Sequence, residues 1–182
     1  MSDFVFNDDL IIETGVPTDR TPVLRRTVRA VIKYDDGTVL MAYSPRFDDY
    51  TFPGGGIKEG ERSEDALRRE LAEELGAQDV VIQGLLMTTR ELKFSIRGDD
   101  TVFLQESGFY LCQVDTFGEP SLRDRERRHG IEAVRIRPSD ALEHNTSVMD
   151  DAAHDKPGLR TVLRRENKVL EALIKENEHA RI

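Results

Sequence analysis

Residues 55–77 read GGIKEGERSEDALRRELAEELGA. Gly55, Glu61, Arg69, Glu70, Glu73, Glu74 and Gly76 recur there at fixed spacing, with apolar Leu71 between them and Ala77 after. The spacing predicts a helix capped by Ser63 and running to about Leu75, with Glu64 and Asp65 favourable in its first turn. Gly76 sits where such a helix would stop. At about 100° per residue, Leu67, Leu71 and Leu75 form one stripe, and Glu70, Glu73 and Glu74 share an adjacent arc of roughly 100°. Three carboxylates this close repel unless cations lie between them. A solvated face would interleave lysines at i+4, yet no lysine occurs between Lys58 and Lys93.

Hard oxygen ligands of this kind select Mg²⁺ or Mn²⁺ over soft metals. The glycines Gly54, Gly55 and Gly56 ahead of the helix lack a Cβ and admit close backbone approach to a phosphate or metal. A phosphate-binding P-loop is excluded because no Gly-Lys-Ser/Thr follows them, and a dinucleotide fingerprint fails because position 59 is Glu59.

The full pattern, G-x5-E-x7-R-E-U-x-E-E-x-G-U with U aliphatic, resembles the Nudix box, and Phe52-Pro53-Gly54 looks like its usual lead-in. The resemblance implies a Nudix-like α/β/α sandwich with a mixed β-sheet. It also implies Mg²⁺-dependent hydrolysis of a pyrophosphate bond in a nucleoside diphosphate linked to another group. Carried over position by position, Glu70, Glu73 and Glu74 become metal ligands, with Glu70 or Glu74 assisting the water. Glu61 supports a metal or pairs with Arg69, which braces loop and helix. Gly54 or Gly55 offers a backbone carbonyl to the metal, and Gly55 and Gly56 admit the pyrophosphate. Some members use a further acid from outside the box, for which Glu91 and Glu106 are the candidates here. The rival reading is a catalytically silent Nudix-fold domain used as a ligand sensor.

Working outward, residues 1–24 form an N-terminal extension in which Phe4, Phe6 and Leu10–Ile12 offer an added strand. That strand is open either to pairing across a homodimer or to closing the chain's own sheet. Residues 25–145 hold the expected hydrolase domain. Within it, Thr27–Lys33, Val39–Tyr43, Val80–Met87, Thr88–Ile96, Thr101–Val114 and Ile131–Ile136 read as strands, and 52–60 and 116–130 as loops. Pro138 starts a short helix through Leu142. Residues 146–182 form a C-terminal segment whose Val162, Leu163, Val169, Leu170, Leu173 and Ile174 recur at helical spacing, an amphipathic helix packed on the body. For Phe47, Tyr50, Phe52, Phe103 and Phe109, core packing outweighs stacking on a base. Arg123, Arg125, Arg127, Arg128 and His129 make a basic run, read as a charged loop or a lid on phosphate. The four histidines share no metal-binding spacing.

The chain has 182 residues, one cysteine and a net charge of −9. Its length fits one domain with appendages. The acidic balance argues against non-specific nucleic-acid binding. Cys112 alone permits neither an intramolecular disulfide nor a cysteine zinc site. No signal-type start and no run of ~18 apolar residues appears, so a cytoplasmic protein without a membrane span is expected. A small nucleotide or related diphosphate is the expected partner. The proline, tyrosine and tryptophan marks of the ADP-ribose, dinucleoside-polyphosphate and NADH branches are missing after the box, since the chain has no tryptophan, no proline between Pro53 and Pro120, and no tyrosine between Tyr50 and Tyr110.

Overall fold

Alternation along two long strands builds the layers. In β2 (Val23–Ile32), Val28, Ala30 and Ile32 point to one face while Thr27, Arg29 and Val31 point to the other. The computed structural model describes residues 10–96, 99–121, 130–152 and 154–179. Among them the main sheet has five strands in the order β1 (Leu10–Ile12), β7 (Val81–Phe94), β8 (Val102–Gln113), β2, β5 (Gly54–Gly56). It is mixed: β1–β7 and β2–β8 are parallel, whereas β7–β8 and β2–β5 are antiparallel. A second sheet of three strands joins β10 (Glu132–Ile136), β3 (Val39–Ser44) and β4 (Asp49–Thr51). Two short strands, β6 (Ala77–Gln78) and β9 (Thr116–Phe117), pair separately.

Helix α1 (Ser63–Leu75) buries Leu67, Leu71 and Leu75 against Val28, Ala30, Ile32, Tyr110 and Cys112. On the opposite face, Val31 and Phe109 meet Met41 and Phe52 of the smaller sheet layer, with α2 (Pro138–Val148) and α3 (Val162–His179) closing the outside through Ala141, Val169, Leu170 and Leu173. Phe52 and Phe109 meet edge to face, their ring centroids 5.8 Å apart. Both are fully buried, so two of the five aromatics belong to the core. The result is the expected layered α/β/α arrangement with a mixed sheet.

Several boundaries differ from the sequence reading. The stretch read as two strands before Ile96 is one strand, because β8 pairs with it along its whole length. Register shifts between Ile82 and Gly84 and between Leu85 and Met87 absorb extra residues as bulges. The glycine loop is in part a strand: Gly54–Gly56 pair with Arg29–Thr27, and a Cβ on Gly54, whose φ is +136°, would lie 2.2 Å from the Val28 carbonyl oxygen. Arg62, not Ser63, occupies the N-cap of α1, without a side-chain cap, and Ser63 is the first helical residue. Gly76 ends α1 in the left-handed region at φ 64°, its N–H donating to the Ala72 carbonyl at 3.0 Å. Helix α2 runs to Val148, beyond the expected Leu142. Thr116 and Phe117 pair with β6 rather than lying wholly in a loop. Leu10–Ile12 pair with Arg90–Leu92, so the added strand extends the chain's own sheet. The basic run at 123–129, and Phe4 and Phe6, lie outside the described residues. Among those described, no helix is long and apolar enough to cross a membrane.

Candidate active site

Arg69 organises the box. Its Nε donates to Glu61 Oε1 at 2.7 Å and its Nη2 to Glu61 Oε2 at 2.8 Å, a bidentate pair. Nη2 also donates to the Gly56 carbonyl at 3.0 Å, Nη1 donates to Glu70 Oε1, and Glu73 Oε1 stands 3.6 Å from Nη1. One guanidinium thus ties the glycine strand, the entry loop and two of the three helix glutamates. Hydrogen bonding from Arg69 draws the Glu61 carboxyl down to about 2, with the Lys58 N–H also donating to it at 2.8 Å. In return Arg69 is held more firmly protonated than a free arginine, chiefly by Glu61.

The three glutamates diverge along α1. Glu70 is buried and set against Gly55, where a Cβ would come within 2.4 Å of the Glu70 carboxyl carbon. Any side chain at position 55 would fill the space that carboxylate occupies. Glu74 Oε2 accepts the Gly54 N–H at 2.8 Å. Both Glu70 and Glu74 line a cleft of about 300 Å³, together with Gly54, Gly55 and Gly56, whereas Glu73 does not. The Gly54 carbonyl accepts from Arg29 Nη1 at 3.1 Å, and the same nitrogen reaches the Phe52 carbonyl at 3.0 Å, which fixes the turn into the glycine strand.

Among the described residues no three His, Cys, Asp or Glu side chains close into a ready-made metal cage. The donors on this rim are nonetheless all hard oxygens, and the Gly55 notch keeps room for the Glu70 carboxylate. That set fits a Mg²⁺-type ion, which retains waters and bridges to phosphate oxygens instead of being enclosed by protein.

The rest of the cleft comes from residues that local spacing does not flag. Its floor is the polar face of the main sheet, with Arg25, Arg29, Gln105 and Lys93. Its far wall is the start of α3 and the segment before it, Gly158, Leu159, Val162 and Arg165, and its roof is the β3–β4 turn with Ser44, Phe47 and Asp49. Burial, with the Arg165 charge adding to it, lowers Arg29 below the usual arginine range. Burial likewise lowers the Lys93 ammonium, opposed by Glu91. Burial raises Asp49, opposed by its bond from His154 Nε2 at 3.1 Å.

Glu91 and Glu106, the candidate outside acids, do not line the cleft. Glu91 is fully buried and accepts from Thr161 Oγ1 at 2.6 Å, Arg165 Nη1 at 2.9 Å and Gln105 Nε2 at 3.0 Å. Burial alone would raise its pKa, but Arg165 and Lys93 overcome this and hold it below the usual range. Glu106 pairs with Arg26 Nε at 3.3 Å on the other face of the sheet. Among the described residues, the acid from outside the box that does line the cleft is Asp49. The signals for this second half were present but faint. Arg25, Thr27 and Arg29 alternate onto a face that Val31 continues as core, and Glu166 lies on the stripe of Leu163 and Leu170 in α3.

The sequence profile of the NUDIX domain matches residues 23–157, and the chain belongs to the Nudix family. Members of this family generally work with divalent metals on small nucleotide-derived substrates. An RNA pyrophosphohydrolase of Pseudomonas fluorescens (strain SBW25) is 39% identical over 72 residues, 40% of this chain and 45% of that protein. One of Psychrobacter sp. (strain PRwf-1) is 38% identical over 72 residues, 40% of this chain and 42% of its own length. The chain thus matches less than half the length of these curated relatives. Among solved structures, a NUDIX hydrolase from Nitrosomonas europaea superposes with a TM-score of 0.53 at 21% identity, covering 82% of this chain and 90% of that one. A UDP-X diphosphatase gives 0.51 at 14% identity, covering 90% and 68%. These two likenesses concern the fold.

Proposed function

We propose that this protein is a Mg²⁺-dependent pyrophosphohydrolase that cuts a phosphoanhydride in a nucleoside diphosphate linked to a further group. The observation that carries the reading is the packing of Glu70 and Glu74 against the glycine strand at the rim of a cleft whose floor is cationic. Water adds to one phosphorus, the bridging P–O bond breaks, and the bridging oxygen leaves as a phosphate product while a proton is released. A divalent ion held by Glu70 and Glu74, with Glu73 and Glu61 in support, would supply neutralisation of phosphate charge and a more acidic bound water.

The chain's own residues do the positioning. Arg69 holds the entry loop, the Gly56 carbonyl and Glu70 in one frame. Arg29 holds the turn at Phe52 and Gly54. Gly56, beside which the backbone is open, admits the diphosphate, Gly55 makes room for the Glu70 carboxylate, and the floor cations complement the diphosphate's charge. Most of the catalytic effect in such a reaction is positioning and electrostatics.

The test is turnover across nucleoside triphosphates, oxidised nucleotides, sugar nucleotides, ADP-ribose, dinucleoside polyphosphates and 5′-triphosphorylated RNA, with and without Mg²⁺. Glu74→Gln is run in parallel. Turnover of one substrate class that needs the metal and falls at least 100-fold in the variant is expected. Nucleotide binding with no turnover of any substrate would overturn the reading in favour of a ligand sensor.

A further inference from the structure

The peptide groups that lead into the glycine strand are held one by one. Asn145 of α2 accepts the Tyr50 N–H and donates to the Tyr50 carbonyl, both at 2.9 Å. The Phe52 N–H donates to Glu166 Oε2 of α3 at 3.0 Å, and the Phe52 carbonyl accepts from Arg29. The Pro53 carbonyl accepts the Ala30 N–H at 2.8 Å. The Gly54 N–H then donates to Glu74 at the rim of the cleft. A side chain of α3 and a glutamate of the box are thus joined through two residues of backbone.

That link is stiff. The pyrrolidine ring fixes φ at Pro53. Gly54 has no slack toward β2, where a Cβ on it would lie 2.2 Å from the Val28 carbonyl oxygen. Upstream, the Asn145 clamp on Tyr50 keeps β4 from absorbing a shift. A displacement at the Phe52 N–H is therefore passed on to Gly54. Phe52 and Glu166 are both fully buried, so a Phe52 N–H deprived of the carboxylate is a costly orphan that the backbone must move to relieve. Glu166 is itself held in place, since Arg165 Nε donates to its Oε1 at 2.9 Å and leaves Oε2 to Phe52.

We propose that Glu166 is a positioning residue for the metal site. From α3 it fixes, through Phe52 and Pro53, where the Gly54 N–H meets Glu74, and so sets the carboxylate that the ion requires. Glu166 does not line the cleft and touches neither ion nor substrate. This rests on the metal-binding part of the hydrolase reading.

The test is Mn²⁺ binding to the full, substrate-free chain, followed by the electron paramagnetic resonance of the free ion at a temperature where every protein compared is folded. Glu166→Gln is set beside Glu91→Gln. The single acceptor oxygen of the amide cannot serve both Arg165 and the Phe52 N–H, which Glu166 meets with separate oxygens. Glu91 shares the buried ionic cluster through Arg165 but not the bond to Phe52, so its variant reports what weakening the cluster alone does. Glu166→Gln is expected to weaken Mn²⁺ binding on the order of tenfold, the scale of losing an outer-shell partner, and Glu91→Gln to stay within about threefold of the unaltered protein. A Glu166→Gln affinity within about threefold of the unaltered protein, a larger loss than that in Glu91→Gln, or no Mn²⁺ binding by the unaltered protein overturns the proposal. Should Glu166→Gln fail to fold, Glu166→Asp is read by the same criterion, because it keeps a charge beside Arg165 but draws it back from Phe52. Since binding is read without substrate, a positioning effect that holds while every substrate remains uncut would sink the hydrolase reading alone.

Discussion

Arg69 and Glu61 show how a pair near the surface becomes structural. The carboxylate accepts both forks of the guanidinium and a backbone N–H. Its folded-state pKa of about 2 lies below the ordinary glutamate value of 4.5. A depressed carboxyl contributes stability that is fully present above its unfolded pKa and lost as pH falls through the folded value. The window here runs from about pH 4.5 down to about pH 2. Glu61→Gln removes that contribution. Its melting temperature is therefore expected to lie below that of the parent protein at pH 6, with the gap closing as pH drops through the window. A gap that stays constant from pH 6 to pH 2.5 would show that the Arg69 pairing is not what depresses Glu61.

At the scale of elements, α3 contributes more than an amphipathic cover. Arg165 is buried between Glu91 of β7 and Glu166 of its own helix, and burial that would lower its pKa is overcome by those two carboxylates. Removing one member of a buried ionic group leaves the rest uncompensated and costs about 3–5 kcal/mol. Arg165→Met is expected to lose that much in urea unfolding, and Glu91→Gln added to it should recover part of the loss. An Arg165→Met loss below about 1 kcal/mol would mean the ionic cluster contributes little. What was legible in the sequence follows the same division. Helix α1, its stop at Gly76 and the glycines ahead of it were readable because their spacing is local. The single long β7 and the pairing of Gly54–Gly56 with β2 were not, because register is set by strands remote in the chain. Glu91 was singled out as an acid, but its partner Arg165 lies 74 residues away, so no local pattern shows that the charge is neutralised. The floor cations were missed for a related reason. Arg25 and Lys93 look like surface charges until the sheet places them in a cleft.

At the scale of the whole molecule, the second core depends on the C-terminal helix. Val169, Leu170 and Leu173 pack with Val31, Met41, Phe52 and Phe109, all beyond the reach of α1. A chain ending at residue 157, where the family profile stops, would expose that apolar surface to water. We expect such a chain to lose its cooperative thermal transition and to bind a hydrophobic dye such as ANS. A sharp transition without dye binding would show that the domain stands without α3.

Leu159, Val162 and Arg165 lie past residue 157 yet form one wall of the cleft. The stretch that defines the family therefore supplies the rim, floor and roof of the cleft, and a segment it does not constrain supplies the far wall. A lineage carrying this arrangement can change the shape of its cleft by altering that tail while the box is inherited unchanged. Two descendants with identical boxes would then divide their labour through their C-termini.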